Sequence, residues 1–255
     1  SLKKGCCSKC LCDMEKPTKL KPIASEDAFI QYLMDNKDEV LKENKEKSNN
    51  FFAPEGLEFN YPFTFPLKDG NISGFGFDSL ELSDDSESKL LVSFDSFEFS
   101  NCDFTEDFTF IKDTAENLTF IKCDFLKAID FGEKVFGGKL RFRHCEFQIA
   151  KFHNTKFKDL ADFWNCDFHK EVIFSKTDFE GTTVFSAARF DKNVLFTYSL
   201  INKLIIFRGT HFKAGLDLSL AIIPGEIGCF DMKINNFKAK SIYSQAIAKD
   251  KIDPE

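Results

Sequence analysis

No apolar run in this chain approaches the roughly 18 residues that a membrane-spanning helix requires, and no apolar stretch near its start serves as a secretory signal. As given, the piece reads as soluble. Positive charge is scarce too: 34 Lys and Arg face 41 Asp and Glu, for a net charge of -7. That balance argues against a protein that grips nucleic acid through its phosphates, which needs a basic footprint. Catalytic signatures are absent as well. There is no G-x-x-x-x-G-K-[ST], G-x-S-x-G or G-x-G-x-x-G, and His144, His153, His169 and His211 fall in different registers, so they build neither a triad nor a metal set. The chain is expected not to be an enzyme and to hold no cofactor in its main body.

Aromatics with a polar handle are few, 1 Trp and 4 Tyr, whereas Phe numbers 33. Rings of that kind are chosen for burial. In "FWNCDFHKEVIFSKTDFEGTTVFSAARF", residues 163 to 190, a Phe stands at 163, 168, 174, 179, 185 and 190. Neither the helical period of 3.6 nor the strand period of 2 puts those rings on one surface. Steps of five and six run from Phe104 to Ile223, and four steps bring the chain back after 21 or 22 residues. One column then reads Phe104, Phe125, Phe147, Phe168, Phe190 and Phe212, the expected structural core. Two places before each ring stand Cys102, Cys123, Cys145, Cys166, Ala188 and Thr210, all small. One large and one small inward residue per side fit an alternating backbone wound around a narrow axis, where a larger residue at the small place would overpack. The thiols of that column read as buried small hydrophobes rather than disulfide partners.

These residues carry a resemblance. "CDFLK", "CEFQI", "ADFWN", "CDFHK" and "TDFEG" resemble the repeats of the pentapeptide-repeat family, over about residues 94 to 230. The alternate six-residue steps look like its Phe-rich branch. The resemblance implies an all-β chain: a right-handed quadrilateral parallel β-helix, or solenoid. Leucine-rich repeats share the period but need an L-x-x-L-x-L frame that is missing here.

The expected organisation has four parts. Residues 1–24 form a flexible Cys-rich segment. Residues 25–90 form an N-terminal cap, made of one amphipathic helix over 25–44, capped by Ser25, and a hairpin of "LEFNYPFTFPL" with "NISGFGFDSLELS" around "KDG". Such a cap covers the open strand edges of a solenoid end. The β-helix spans 91–230, and 231–255 supply a short C-terminal capping helix and tail.

Candidate sites follow from this frame. Cys6, Cys7, Cys10 and Cys12 lie within seven residues, with Cys7 and Cys10 at the C-x-x-C spacing that suits zinc or redox chemistry. The competing reading is a Cys-rich tail open to lipid modification. Asp103, Asp124, Glu146 and Asp167 precede successive rings and make an acidic ladder whose like charges repel unless cations such as Lys122, Lys127, Arg143 and Lys170 offset them. Ile173, Val184, Leu195 and Ile206 precede rings in the six-residue steps and make an apolar ladder, suited to self-association if it points outward and tucked in if the sixth residue forms a bulge.

The expected function is a non-catalytic protein–protein interaction or scaffold module, a rod showing side-chain ladders to an unknown protein partner or to a second copy in a homodimer. With nine Cys and no signal sequence, a reduced cytoplasmic compartment is expected. Relatives of the Phe-rich type often continue into membrane-spanning segments. That resemblance implies the soluble part of a longer membrane-associated protein, at the inner face of the membrane and attached only through segments outside this chain. The alternative is a DNA-mimicking inhibitor of a type II topoisomerase such as gyrase, as some pentapeptide-repeat proteins are; here the acids crowd the N-terminal end.

Overall fold

The structure is a computed structural model that describes residues 16–36, 39, 41–44, 49–65, 96–114 and 117–238. Nearly all of it is parallel β, in stacked coils that form a solenoid of about six turns with one short helix. Each coil has four sides. The first carries Phe104, Phe125 and Phe147; the second, Phe131, Phe152 and Phe174; the third, Phe136, Phe157 and Phe179; the fourth, Phe120, Phe142 and Phe163. Like positions of successive coils pair in register, as in Phe125 with Phe104 and with Phe147, Phe157 with Phe179, and Phe142 with Phe120 and with Phe163.

The core follows from the ring column. Phe104, Phe125, Phe147, Phe168, Phe190 and Phe212 stack in single file with centroids 4.6 to 5.1 Å apart and planes within 9° of parallel. Between sides the rings meet edge to face, as with Phe142 against Phe147 at 5.2 Å and 68°. Both arrangements suit the aromatic quadrupole. Burying each ring contributes on the order of 1.5–3 kcal/mol, which offsets the ordering of a long, otherwise irregular backbone.

Five and six residues turn the corner differently. Among the described residues every positive φ stands three places before an inward residue, for example Asn101 before Phe104, Lys122 before Phe125, Ala187 before Phe190 and Gly209 before Phe212. From Phe120 on, every five-residue step except Phe147 to Phe152, which runs along the strand Glu146–Lys151 with no positive φ, leaves too few residues for a gradual bend. The chain folds instead into a tight turn closed by an N–H three residues on, Thr177 to the Phe174 carbonyl at 3.1 Å and Thr210 to that of Phe207 at 3.0 Å. A positive φ at the third residue is the mark of a type II turn. The six-residue steps have one residue more and turn without it.

The small column does more than fit. Thr155, Thr177 and Thr210 each donate a side-chain O–H to the carbonyl of a ring residue one coil earlier, Phe131, Phe152 and Phe185, at 2.6 to 2.8 Å. Cys123, Cys145 and Cys166 do the same with their thiols, to Phe99, Phe120 and Phe142 at 3.3 to 3.4 Å. The place favours a small side chain with a hydrogen to give, which adds a bond to a corner carbonyl; those of Phe152 and Phe185 also accept the turn N–H of Thr155 and Ala188. These Cys are free and buried, and burial pushes the thiols of Cys102, Cys123 and Cys145 well up.

Several boundaries differ from the sequence expectation. The helix is Glu26–Asp35, capped by Ser25, whose Oγ accepts the Ala28 N–H at 3.1 Å. It does not continue to 44. Asn36 ends it, and Leu41–Asn44 instead forms an antiparallel pair with Asn49–Phe52. The apolar spacing at Leu41 suits a helix and a strand alike. Within "LEFNYPFTFPL", expected as half of a hairpin, Leu57–Phe59 and Phe63–Phe65 are instead two successive sides of a coil, parallel to Asp103–Phe104 and Phe108–Phe110. Phe59 stacks on Phe104 at 4.8 Å and 5°. The coil therefore begins before residue 91, and Lys21–Ile23 adds a further rung beside Leu57–Phe59. "NISGFGFDSLELS" lies outside the described residues. At the far end the ladders pass 230, with Lys233–Ile234 beside His211–Phe212 and Phe237–Lys238 beside Gly215–Asp217. The remainder of the expected C-terminal helix lies outside the described residues.

The helix meets the coil at its first rings. Phe29 packs against Phe59 at 5.0 Å and Phe63 at 5.8 Å, and both Phe29 and Leu33 are buried.

Candidate interaction surface

With the rings inside, the exterior is a set of side-chain ladders about 4.8 Å per rung. On the first side, the residue before each ring, or before Ile234 at the last rung, reads Glu58, Asp103, Asp124, Glu146, Asp167, Arg189, His211 and Lys233, paired rung to rung. The predicted acidic ladder is thus one continuous row, and it turns basic after Asp167.

Two cations outside the expected set contact the acids. Lys16 spans two rungs, donating to Asp103 and, at 2.7 Å, to Asp124. Arg189 clamps Asp167 through Nε, at 2.6 Å, and Nη2. Lys127 instead pairs with Glu106, and Arg143 sits on the fourth side, where Nη2 reaches the buried Asp162 at 3.1 Å. The expected cations stand within three residues of an acid in the chain, whereas Arg189 comes from the next coil and Lys16 from before the coil. Burial raises the Asp103 carboxyl above its usual range although Lys16 and its charge work against this. For Lys16, burial works downward, and the hydrogen bonds to Asp103 and Asp124 outweigh it.

Beside this row, the residue after each ring forms a second one. His169 Nδ1 lies 2.9 Å from Asp191 Oδ2, Lys213 Nζ lies 2.6 Å from Asp191 Oδ1, and His169 Nε2 lies 3.5 Å from Glu146 Oε2. Sequence reasoning treated the His as separate, and so they are from one another, but it missed this acid–His–acid–Lys run. The spacing of 22 between 169, 191 and 213 was the available signal. The hydrogen bond to Asp191 raises the His169 pKa against the effect of burial, with Glu146 adding to it. Lys213 and then His169 hold Asp191 below the usual carboxylate range.

The four apolar residues do not form one ladder. Ile173 pairs with Leu195 on the second side and Val184 with Ile206 on the fourth. Spaced by 11, half a coil, they alternate between opposite sides. Ile173 is exposed and the other three are half-buried, so neither pair makes a broad patch. Cys6, Cys7, Cys10 and Cys12 lie outside the described residues. Among the described residues no group of three or more His, Cys, Asp or Glu is placed to hold a metal ion, and no helix is long and apolar enough to cross a membrane.

Residues 135–178 match the pentapeptide repeat family, in nine copies. No curated protein and no solved structure matches the chain. The matched stretch is the middle of the coil, where the ring column, the small donor column and the four-sided winding all coincide, and over that stretch the chain is similar to pentapeptide-repeat proteins.

Proposed function

We propose that this chain is a non-catalytic protein-interaction module, a rigid rod that presents the first side's charged rows to a protein partner. What carries this reading is the row from Glu58 to Lys233, in which acids give way to bases along one face. A graded row of that kind favours one orientation of a partner and opposes the reverse, since like charges brought together are costly. The family is generally non-catalytic. The second reading, mimicry of DNA toward a type II topoisomerase, asks for acids along the whole rod, and the change of sign at Arg189 disfavours it.

Crosslinking tests the reading. A photo-reactive residue placed at Gln148 on the first side should capture a defined partner in cells, and one placed at Lys158 on the third side should not. Equal capture at both places, or none at either, overturns it. A gyrase supercoiling assay addresses the second reading, and inhibition at micromolar protein would favour it instead.

A further inference from the structure

The fourth side carries a row of cations that its acids do not answer. Along Leu140–Arg143 the buried Leu140 and Phe142 alternate with outward Arg141 and Arg143, and the same alternation sets Lys139 on the outer face just before the strand. Beside Arg141 and Arg143 stand Thr119 and Ile121 on one rung, and Asp162 and Trp164 on the other. Asp162 lies directly across from Arg141, yet its bonds go elsewhere. Its Oδ2 accepts Nε and Nη2 of Arg143 at 3.3 and 3.1 Å, and its Oδ1 accepts the Trp164 N–H at 3.2 Å. Asp159, at the corner before Leu160, turns its Oδ1 to the Leu160 N–H at 2.7 Å. Lys139 and Arg141 are half-buried, and among the described residues neither side chain has a hydrogen bond or an ion pair. A guanidinium has several N–H groups to give, and covering it without an acceptor is costly. The local field is positive as well: burial, and then the charges of Lys122 and Arg143, hold His144 below its ordinary pKa.

We propose that Lys139 and Arg141 form a phosphate-binding site on the fourth side, one that takes a phosphate group. This goes beyond the first-side reading above and uses none of its residues. Same-face neighbours on a strand stand about 6.6 Å apart, so these two long side chains can close on one ligand. Two unpaired cations call for a dianion. A phosphate monoester carries about -1.5 to -2 charges at neutral pH, and its free oxygens take the guanidinium fork and the ammonium together. A carboxylate has one charge and two oxygens, which the fork alone occupies, leaving Lys139 unanswered. Arg143, held by Asp162, bounds the site on its far side and adds its charge.

The test uses the full chain and two probes, inorganic phosphate and N-acetyl-phosphoserine amide, followed by phosphorus NMR at fixed ionic strength. Both should show saturable shifts in the millimolar range. Tighter binding of the phosphoserine assigns the site to a phosphorylated side chain, and tighter binding of inorganic phosphate to the free ion. Arg141→Gln should weaken binding about tenfold and Lys139→Gln about threefold. Arg141→Lys, which keeps the charge and loses the fork, should weaken it less than Arg141→Gln. Lys158→Gln on the third side, the same change in net charge as Lys139→Gln, should leave it unchanged. No saturable shift at millimolar phosphate, equal affinity of the parent and Arg141→Gln, or equal losses in Lys158→Gln and Lys139→Gln overturns the inference. So does N-acetyl-aspartate amide displacing the phosphoserine at equal concentration, which would make any carboxylate a ligand. Crosslinking from Gln148 tests the first side separately, so either reading can fail without the other.

Discussion

The rings of Phe125 and Phe147 lie 5.1 Å apart with their planes 2° from parallel, two successive members of a single file. Phe147 also stacks on Phe168 at 4.7 Å and meets Phe142 at 5.2 Å edge to face. Phe147→Ala opens a cavity that neighbours on two rungs cannot close without breaking ladder register. A loss of about 3–5 kcal/mol in chemical denaturation is expected. A loss below about 1 kcal/mol would mean that the stack is not what holds the coil.

The corners separate two kinds of glycine. Gly209 has φ +65° with nothing closer than 4.0 Å to an added Cβ, while a Cβ on Gly225 would come within 1.9 Å of the Lys203 carbonyl oxygen. Gly209→Asn should leave the melting temperature nearly unchanged, because Asn tolerates positive φ. Gly225→Ala should lower it by several degrees, since backbone must move. Ala187 bears a side chain at φ 58°, and Ala187→Gly should stabilise by about 0.5–1 kcal/mol through relief of that strain.

In the small column, Cys145 gives its thiol hydrogen to the Phe120 carbonyl at 3.4 Å. Cys145→Ser keeps a donor at that place; Cys145→Val removes it and leaves the carbonyl buried without it, at a cost of about 1–3 kcal/mol. Alkylation of the native protein, mapped by mass spectrometry, should modify half-buried Cys229 and spare Cys102, Cys123, Cys145 and Cys166 until the coil unfolds. Labelling of that column in the folded protein at the rate of Cys229 would contradict the placement.

The His169 run makes stability depend on pH. Its pKa lies above the ordinary 6.5, so its contribution is fully present below that value and is lost as pH rises through the folded one. Asp191 lies below the ordinary 3.8, so its contribution is present above that value and fades as pH falls through its lowered one. Stability should therefore decline as pH rises from the ordinary value of 6.5 through the raised pKa of His169, and His169→Gln should flatten that slope. An unchanged slope in the variant would place the dependence elsewhere.

Winding, column and inward set were all legible in the amino-acid sequence, because a steric rule recurs at every rung: a ring at one place and a small residue two before it, from Cys102 and Phe104 to Thr210 and Phe212. Repetition turns a weak local preference into a strong signal. The donor role of the small column was half visible, since Cys and Thr recur there, but the carbonyl they serve belongs to another coil. What the tertiary structure alone decided lies where the repeat is interrupted or crossed. Phe59 joins the ring column although more than forty residues separate it from Phe104. Lys16 reaches Asp103 and Asp124 from before the coil, and Ile173 and Val184 part to opposite sides. A period along the chain sets the register of a residue within its own coil; which distant side chains then meet across the outer surface depends on how the coils are stacked in space.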